Sequence, residues 1–304
     1  MARHEVPEGY TVALIATMPR SGTWMSFYFL EFLDLYLSGR TTLNTRLDLE
    51  VYHALRLGKV HIHTTCPGFL EHCQGGLRSA WDDLSFYNPG YDYGYGRFIA
   101  GNEAVFSPLE NPRIRIVYIY RNPLDQCVSF FHHTAKHRQV STRSYIDKDG
   151  TDGGGGGGVE IGIADARDFL RRVGMEAYIK QYLTFHVIRE RCGDNIFMLP
   201  YERMVRERDG SFRAMLAFLG CALDGDEAEV CFQKALNSSS ASSLRNLEKS
   251  LGASLGRDQT DARESHLRGG EIGKWRQHYD EADVEFAEQA LGAFGLSLDD
   301  FEIE

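Results

Sequence analysis

The run TVALIAT at 11–17 passes directly into MPRSGTW at 18–24, and this junction restricts the possible folds more than any other stretch of the chain. A short, bounded apolar run of this kind is expected of a buried strand in a parallel sheet. From Thr23 to Ser38 the chain is apolar except at Ser26, Glu31 and Asp34. Positions 31, 34 and 38 fall on one helical stripe, which predicts a helix buried nearly all round and stopped by Gly39. A strand that enters a helix through a glycine-containing turn presents backbone N–H groups and the positive end of the helix dipole. Such a turn suits phosphate or a similar anion. Arg20 adds a formal charge, Gly22 permits close backbone approach, and Ser21 and Thr23 add hydroxyl donors. The stretch lacks the GxxxxGK[ST] pattern of a Walker A loop. Taken alone, it also fits a tight turn carrying a surface arginine, the lesser of the two readings.

The same strand-then-helix grammar recurs. RIRIVYIY at 113–120 is strand-like and runs into RNPLDQCVSFFHHTAKH, where Asn122 can cap a helix and Pro123 suits its first position. A helical pattern covers about 166–191, NIFMLPY at 195–201 is a third strand, and SFRAMLAFLG at 211–220 is the helix after it. Alternation of this kind predicts an α/β fold of three layers, with a central parallel sheet flanked by helices. No internal repeat or domain boundary is evident, so residues 1–304 read as a single domain. Two segments stand apart. A flexible loop is expected at about 138–165, where STRSYIDKDGTDGGGGGG ends in six glycines. A polar segment at about 238–270 is expected to lie over a site as a mobile cover.

Composition removes several classes of function. A formal net charge of −10 provides no basic field for nucleic acid, although a local basic pocket for a small anion is compatible with it. Six cysteines without paired spacing read as reduced thiols in a cytoplasmic protein. The opening MARHEVPEGY is unlike a signal peptide. The most apolar stretch, 24–37, contains Glu31 and Asp34 and is not a membrane span.

At MPRSGTW the chain resembles the sulfotransferases that use 3′-phosphoadenosine 5′-phosphosulfate (PAPS). Their 5′-phosphosulfate loop reads roughly PKSGTTW, and Pro19, Arg20, Ser21, Gly22 and Thr23 match it, with arginine for lysine. One threonine is missing, and Trp24 either takes its place or follows a one-residue deletion. The family's 3′-phosphate motif is an arginine at a strand end, then N-P-x-D, then a serine eight residues after the arginine. Arg121, Asn122, Pro123, Asp125 and Ser129 reproduce it. An arginine can fork onto phosphate oxygens, and a serine two helical turns on can reach the same anion. RGGEIGKWR at 268–276 is similar to the family's RKGxxGxWK, with Gly269 in place of a lysine. In the family this stretch meets the 3′-phosphate through arginine and backbone N–H groups, here Arg268 and Gly270, and its glycine spacing fits an anion-binding nest. LPYERM at 199–204 resembles YEDM, whose tyrosine contacts adenine, giving that role to Tyr201. Ser239 and Ser240 resemble a further element near the base, but Ala241 stands where an aromatic residue is expected. The resemblance covers about residues 10–280 in the right order, and it implies the P-loop NTPase-like sulfotransferase fold.

Transfer of a sulfuryl group to a hydroxyl requires a base, and a neutral histidine suits that task. In the family it lies in KTHLP on a strand end. The counterpart VHIHTTCPG at 60–68 places His63 at the catalytic histidine and His61 at the lysine, with His61 as the other candidate base. A zinc site built from His61, His63, Cys66, His72 and Cys73 competes with this reading, but the set lacks the spaced CxxC pairs of common structural sites.

The resemblance therefore implies a metal-free, PAPS-dependent sulfotransferase that releases adenosine 3′,5′-bisphosphate (PAP). His63 and Arg20 would be catalytic, and Arg20, Ser21, Gly22, Thr23, Trp24, Arg121, Ser129, Tyr201, Arg268 and Gly270 would bind the cofactor. The acceptor would be a small molecule carrying a hydroxyl or amine, with aromatic residues of DLSFYNPGYDYGYGRF at 83–98 as possible lining. Two other readings stay open: a P-loop nucleotide kinase or related phosphotransferase, and a non-catalytic protein that binds PAP or PAPS. The oligomeric state is not legible in the sequence.

Overall fold

A computed structural model describes residues 11–18, 20–41, 43, 52–55, 60–65, 114–136, 163–221, 223–251 and 270–301. Five strands form one sheet: β1 (Thr11–Thr17), β2 (Tyr52–Leu55), β3 (Val60–Thr65), β4 (Ile114–Tyr120) and β5 (Ile196–Pro200). Their spatial order is β2-β3-β1-β4-β5. β1 pairs in parallel with both β3 and β4, and β4 pairs in parallel with β5. The central sheet is parallel as expected, and one edge strand, β2, runs antiparallel to β3. Only residues 56–59 separate these two strands, whereas a parallel connection needs a dozen residues or more.

The helices are α1 (Thr23–Ser38), α2 (Pro123–Lys136), α3 (Ala166–Phe169), α4 (Met175–Arg191), α5 (Tyr201–Arg206), α6 (Arg208–Phe218), α7 (Asp226–Ser238), α8 (Ala241–Leu251) and α9 (Glu281–Gly292). Side chains alternate across β4, as the pleat requires. Ile116 and Tyr118 enter one core with Leu124 and Cys127 of α2, Phe169, Tyr178 and Phe185 of α3 and α4, and Leu291 of α9. Val117 and Ile119 enter the other with Phe27 and Phe29 of α1, Phe212 of α6 and Phe232 of α7. The sheet thus lies between two helical layers.

α1 matches its sequence expectation. Its residues from Ser26 to Leu33 are all buried, and Gly39 ends it in the left-handed region at φ 65°. Arg40 folds back onto Glu31 at 3.1 Å and Asp34 at 2.7 Å, giving the buried Glu31 carboxylate a partner. The helical pattern at 166–191 differs from expectation near its start, where Leu170–Gly174 form a π-helical turn between α3 and α4. A Cβ on Gly174 would lie 2.8 Å from Cys127 Sγ, so glycine lets α2 approach here. Of the expected mobile cover, the described portion includes α8, whose Leu244 is buried in the second core. The loop at 138–165 lies almost wholly outside the described residues, as do Pro19, the zinc candidates Cys66, His72 and Cys73, the aromatic stretch at 83–98 and Arg268.

Because β1, β3, β4 and β5 are parallel, their carboxyl ends open on a single edge of the sheet. In open α/β sheets this is the edge at which ligands bind.

Candidate functional site

At that edge the turn after β1 is drawn tight. Met18 N–H extends the ladder to the Ile119 carbonyl at 2.8 Å, and Ser21 N–H turns back to the Met18 carbonyl at 3.0 Å. Arg20 has φ 70°, in a region that non-glycine residues seldom adopt, and Gly22 has φ 96°. Gly22 is the N-cap of α1 and brings no side-chain cap to its first turn. A Cβ there would meet the Tyr201 ring at 2.9 Å. Thr23 Oγ1 lies 2.5 Å from Thr17 Oγ1, tying the strand end to the helix start. Ser21 is fully buried, and its Oγ has no hydrogen-bond partner among the described residues. Trp24 stacks on Tyr28 with ring centroids 5.8 Å apart.

The segment after β4 reaches the same place. Asn122 caps α2 as its residue type predicts, its Oδ1 accepting from Leu124 N–H at 3.0 Å and Asp125 N–H at 3.4 Å. Arg121 is buried, and its backbone carbonyl accepts from Tyr178 Oη at 2.6 Å. Its guanidinium lies over the Tyr201 ring, 4.8 Å from the centroid, and donates from Nη2 to the Glu271 carbonyl at 2.7 Å. The Asp125 and Glu202 carboxylates stand 3.7 Å and 3.9 Å from it. Arg121 Nε has no hydrogen-bond partner among the described residues. Ser129, two turns along α2, accepts from Arg20 Nε at 3.4 Å. Two segments more than a hundred residues apart in sequence therefore converge at a single point.

Tyr201, the first residue after β5, closes the third side. Its ring fills the space left by the missing Cβ of Gly22, and its Oη donates to the Gly270 carbonyl at 3.1 Å. Gly270 has φ 64°, and a Cβ there would lie 2.7 Å from Tyr201 Oη. Burial pushes the Tyr201 phenol up, with the Arg121 charge opposing. Burial likewise raises Glu202, opposed chiefly by the Asn122 N–H that its Oε1 accepts at 3.0 Å.

The anion-binding nest expected of the glycine spacing in RGGEIGKWR is filled, at Gly273, by the chain itself. Gly273 N–H donates to Asp125 Oδ2 at 2.6 Å and Trp275 N–H donates to Oδ1 at 3.1 Å. Ser239, placed near a base by resemblance, is fully buried and accepts from Arg208 Nη2 at 3.1 Å; Arg208 also donates to the Leu236 carbonyl at 2.9 Å. Burial pushes Arg208 down, opposed by the nearby Tyr201. Asp125, Glu202 and Arg208 were given no role by sequence reasoning. The first two stood inside quoted motifs, and only their place in those motifs could have singled them out.

His63 lies in β3 opposite Leu14 of β1. That is three positions, or about 10 Å along the strand, before the Thr17 level at which the turn begins. Among the described residues there is no group of His, Cys, Asp and Glu side chains arranged to hold a metal, and no helix is long and apolar enough to cross a membrane.

A family model for the sulfotransferase domain matches residues 102–293. The chain belongs to the sulfotransferase family. The match takes in Arg121, Ser129, Tyr201 and Gly270, while the turn at 18–24 precedes it. No curated protein sequence matches this family member. Among solved structures it is similar to mouse sulfotransferase SULT7A1 complexed with PAP, at 15% identity and a TM-score of 0.51, covering 93% of this chain and 84% of that one. It is also similar to retinol dehydratase in complex with androsterone and inactive cofactor PAP, at 18% identity, TM-score 0.50, and coverage of 96% and 82%. A second retinol dehydratase complex, with retinol and PAP, matches at 17% identity, TM-score 0.50, and coverage of 98% and 84%. At these identities the likeness establishes the sulfotransferase fold.

Proposed function

We propose that this sulfotransferase-family protein transfers the sulfuryl group of PAPS to a hydroxyl or amine of a small-molecule acceptor. The observation that carries the reading is the contact of Arg20 with Ser129, which joins the turn after β1 to the motif after β4. PAPS carries anionic groups on both the 5′ and 3′ sides of its ribose, and two cationic cradles meeting at one point suit that pair. Ser21 Oγ and Arg121 Nε, which have no hydrogen-bond partner among the described residues, and the backbone openings at Gly22 and Gly270 fit a phosphorylated adenine nucleotide.

When bound, PAPS supplies an activated sulfuryl group on a phosphate leaving group. Backbone N–H groups of the 20–24 turn and the Thr23 hydroxyl would hold its 5′ side, beside Trp24. Arg20 would stabilise the charge that grows there during transfer, an effect of about 3 kcal/mol by analogy with oxyanion donors. Arg121, Ser129 and, by resemblance, Arg268 would read the 3′-phosphate, with Gly270 beside it, and Tyr201 would contact the adenine. His63, on a strand whose carboxyl end opens on the same edge, would take the acceptor proton. The similar complexes containing androsterone and retinol support a small-molecule acceptor. Cytoplasmic residence belongs to the same proposal, supported by Cys127, Cys192, Cys221 and Cys231, which are buried and form no disulfide among the described residues.

Calorimetry tests the binding half: PAP should bind tightly and ATP weakly, and the reverse order would favour a nucleotide kinase. Transfer of labelled sulfate from PAPS to any member of a panel of small alcohols, phenols and amines tests the chemistry. Tight PAP binding with no transfer to any of them would leave a binding protein instead.

A further inference from the structure

The turn at 270–275 exchanges hydrogen bonds with three side chains of the candidate site. Its carbonyls accept from Arg121 at Glu271, at 2.7 Å, and from Tyr201 at Gly270, at 3.1 Å. Its amides donate to Asp125 from Gly273, at 2.6 Å, and from Trp275, at 3.1 Å. Gly273, at φ 80°, gives the turn the left-handed bend that brings both amides to one carboxylate. Asp125 is buried, at 2% exposure, and each of its oxygens receives one of these bonds. Its approach to Arg121 is longer, 3.7 Å, and beyond hydrogen-bond reach. Asp125 therefore acts on the arginine as a nearby charge and on the turn through two hydrogen bonds.

We propose that Asp125 is a positioning residue: its carboxylate anchors the 270–275 turn, and the anchored turn holds Arg121 and Tyr201 in the orientation in which they receive the nucleotide. The role assigned to those two side chains rests on the sulfotransferase reading above; the anchor itself does not. Asparagine at 125 has the same shape but one acceptor oxygen, so it cannot satisfy both amides. Glutamate keeps two acceptors on a longer arm.

Amide hydrogen exchange on the full chain without nucleotide, followed by calorimetry with PAP, decides the matter. In Asp125→Asn the Gly273 and Trp275 amides should exchange at least about tenfold faster than in the parent protein. The PAP dissociation constant should rise about tenfold at unchanged stoichiometry. Asp125→Glu should recover part of both effects. A merely structural role would instead lower the stoichiometry, as less protein folds, and leave the affinity of the folded fraction alone. Unchanged exchange at both amides would remove the anchor, and faster exchange with unchanged PAP affinity would remove its effect on the site. If Asp125→Asn fails to fold, Gly273→Ala disturbs the same contact from the turn side and should give the same pair of changes. Should the parent protein not bind PAP at all, the sulfotransferase reading falls, while the exchange comparison still upholds or removes the anchor.

Discussion

Arg20 and Gly22 hold left-handed backbone conformations within three residues, in the segment where a helix begins against the ring of Tyr201. For Gly22 the conformation and the contact act together. Gly22→Ala would impose a disfavoured φ of 96° and drive a methyl group to 2.9 Å from Tyr201 Cδ2. It should cost about 1–3 kcal/mol in urea unfolding, with PAP binding weakened as the turn shifts; a variant of parental stability would mean the ring yields freely. Arg121→Ala removes a charged donor and should weaken PAP binding at least about tenfold, since such a hydrogen bond is worth about 1.5–3 kcal/mol. Unchanged affinity in calorimetry would speak against a 3′-phosphate role. His63→Ala should leave PAP affinity nearly intact while sulfate transfer collapses; surviving turnover would move the base to His61 or water. Arg20, Arg121 and Tyr201 could be picked out because each stands just past a strand end in a motif that resembles one of the sulfotransferase family. Asp125 could not be given its role that way, since its partners lie about 150 residues downstream.

Among the elements, the π-helical turn between α3 and α4 shows where a periodic pattern conceals geometry. The apolar spacing over 166–191 is that of a continuous helix, and it gives no sign of the wider turn at 170–174 or of the close approach of α2 there. Gly174 faces Cys127 there, and a Cβ would stand 2.8 Å from the sulfur and 3.1 Å from the Phe169 ring. Gly174→Ala should destabilise the protein by about 1–3 kcal/mol through overpacking. Because the nearest obstacle is the sulfur, Cys127→Ala should relieve part of that cost. A double-mutant cycle from urea melts reads this as a coupling term, and strictly additive effects would place the strain elsewhere. β2 is the opposite case. Its tetrad is too short to announce itself by alternation, and its direction follows from the brevity of the link to β3 rather than from its side chains.

Across the molecule, burial has raised the phenol groups of Tyr28, Tyr118, Tyr120, Tyr178, Tyr182, Tyr201 and Tyr279. In each case loss of water around the phenolate is the leading cause. A group raised in the folded state contributes stability that is complete below its unfolded pKa, about 10 for tyrosine, and is lost as pH rises toward the folded value. With so many such groups, stability should fall steeply above about pH 10. Phenolate absorbance should then appear together with loss of the circular dichroism of the fold, whereas tyrosines titrating near pH 10 in an intact fold would contradict this. β1, β4 and β5, a helix after each, and the two arginine motifs could be read locally, because hydrophobic period and turn residues are set by neighbours in the chain. Which motif residues meet could not be read that way. Ser129 receives Arg20, Asp125 takes the amides of 273 and 275, and Tyr201 closes on Gly22 because parallel strands deliver their carboxyl ends to a common edge. Period tells a side chain which face to take, but partners separated by a hundred residues are chosen only when the sheet assembles.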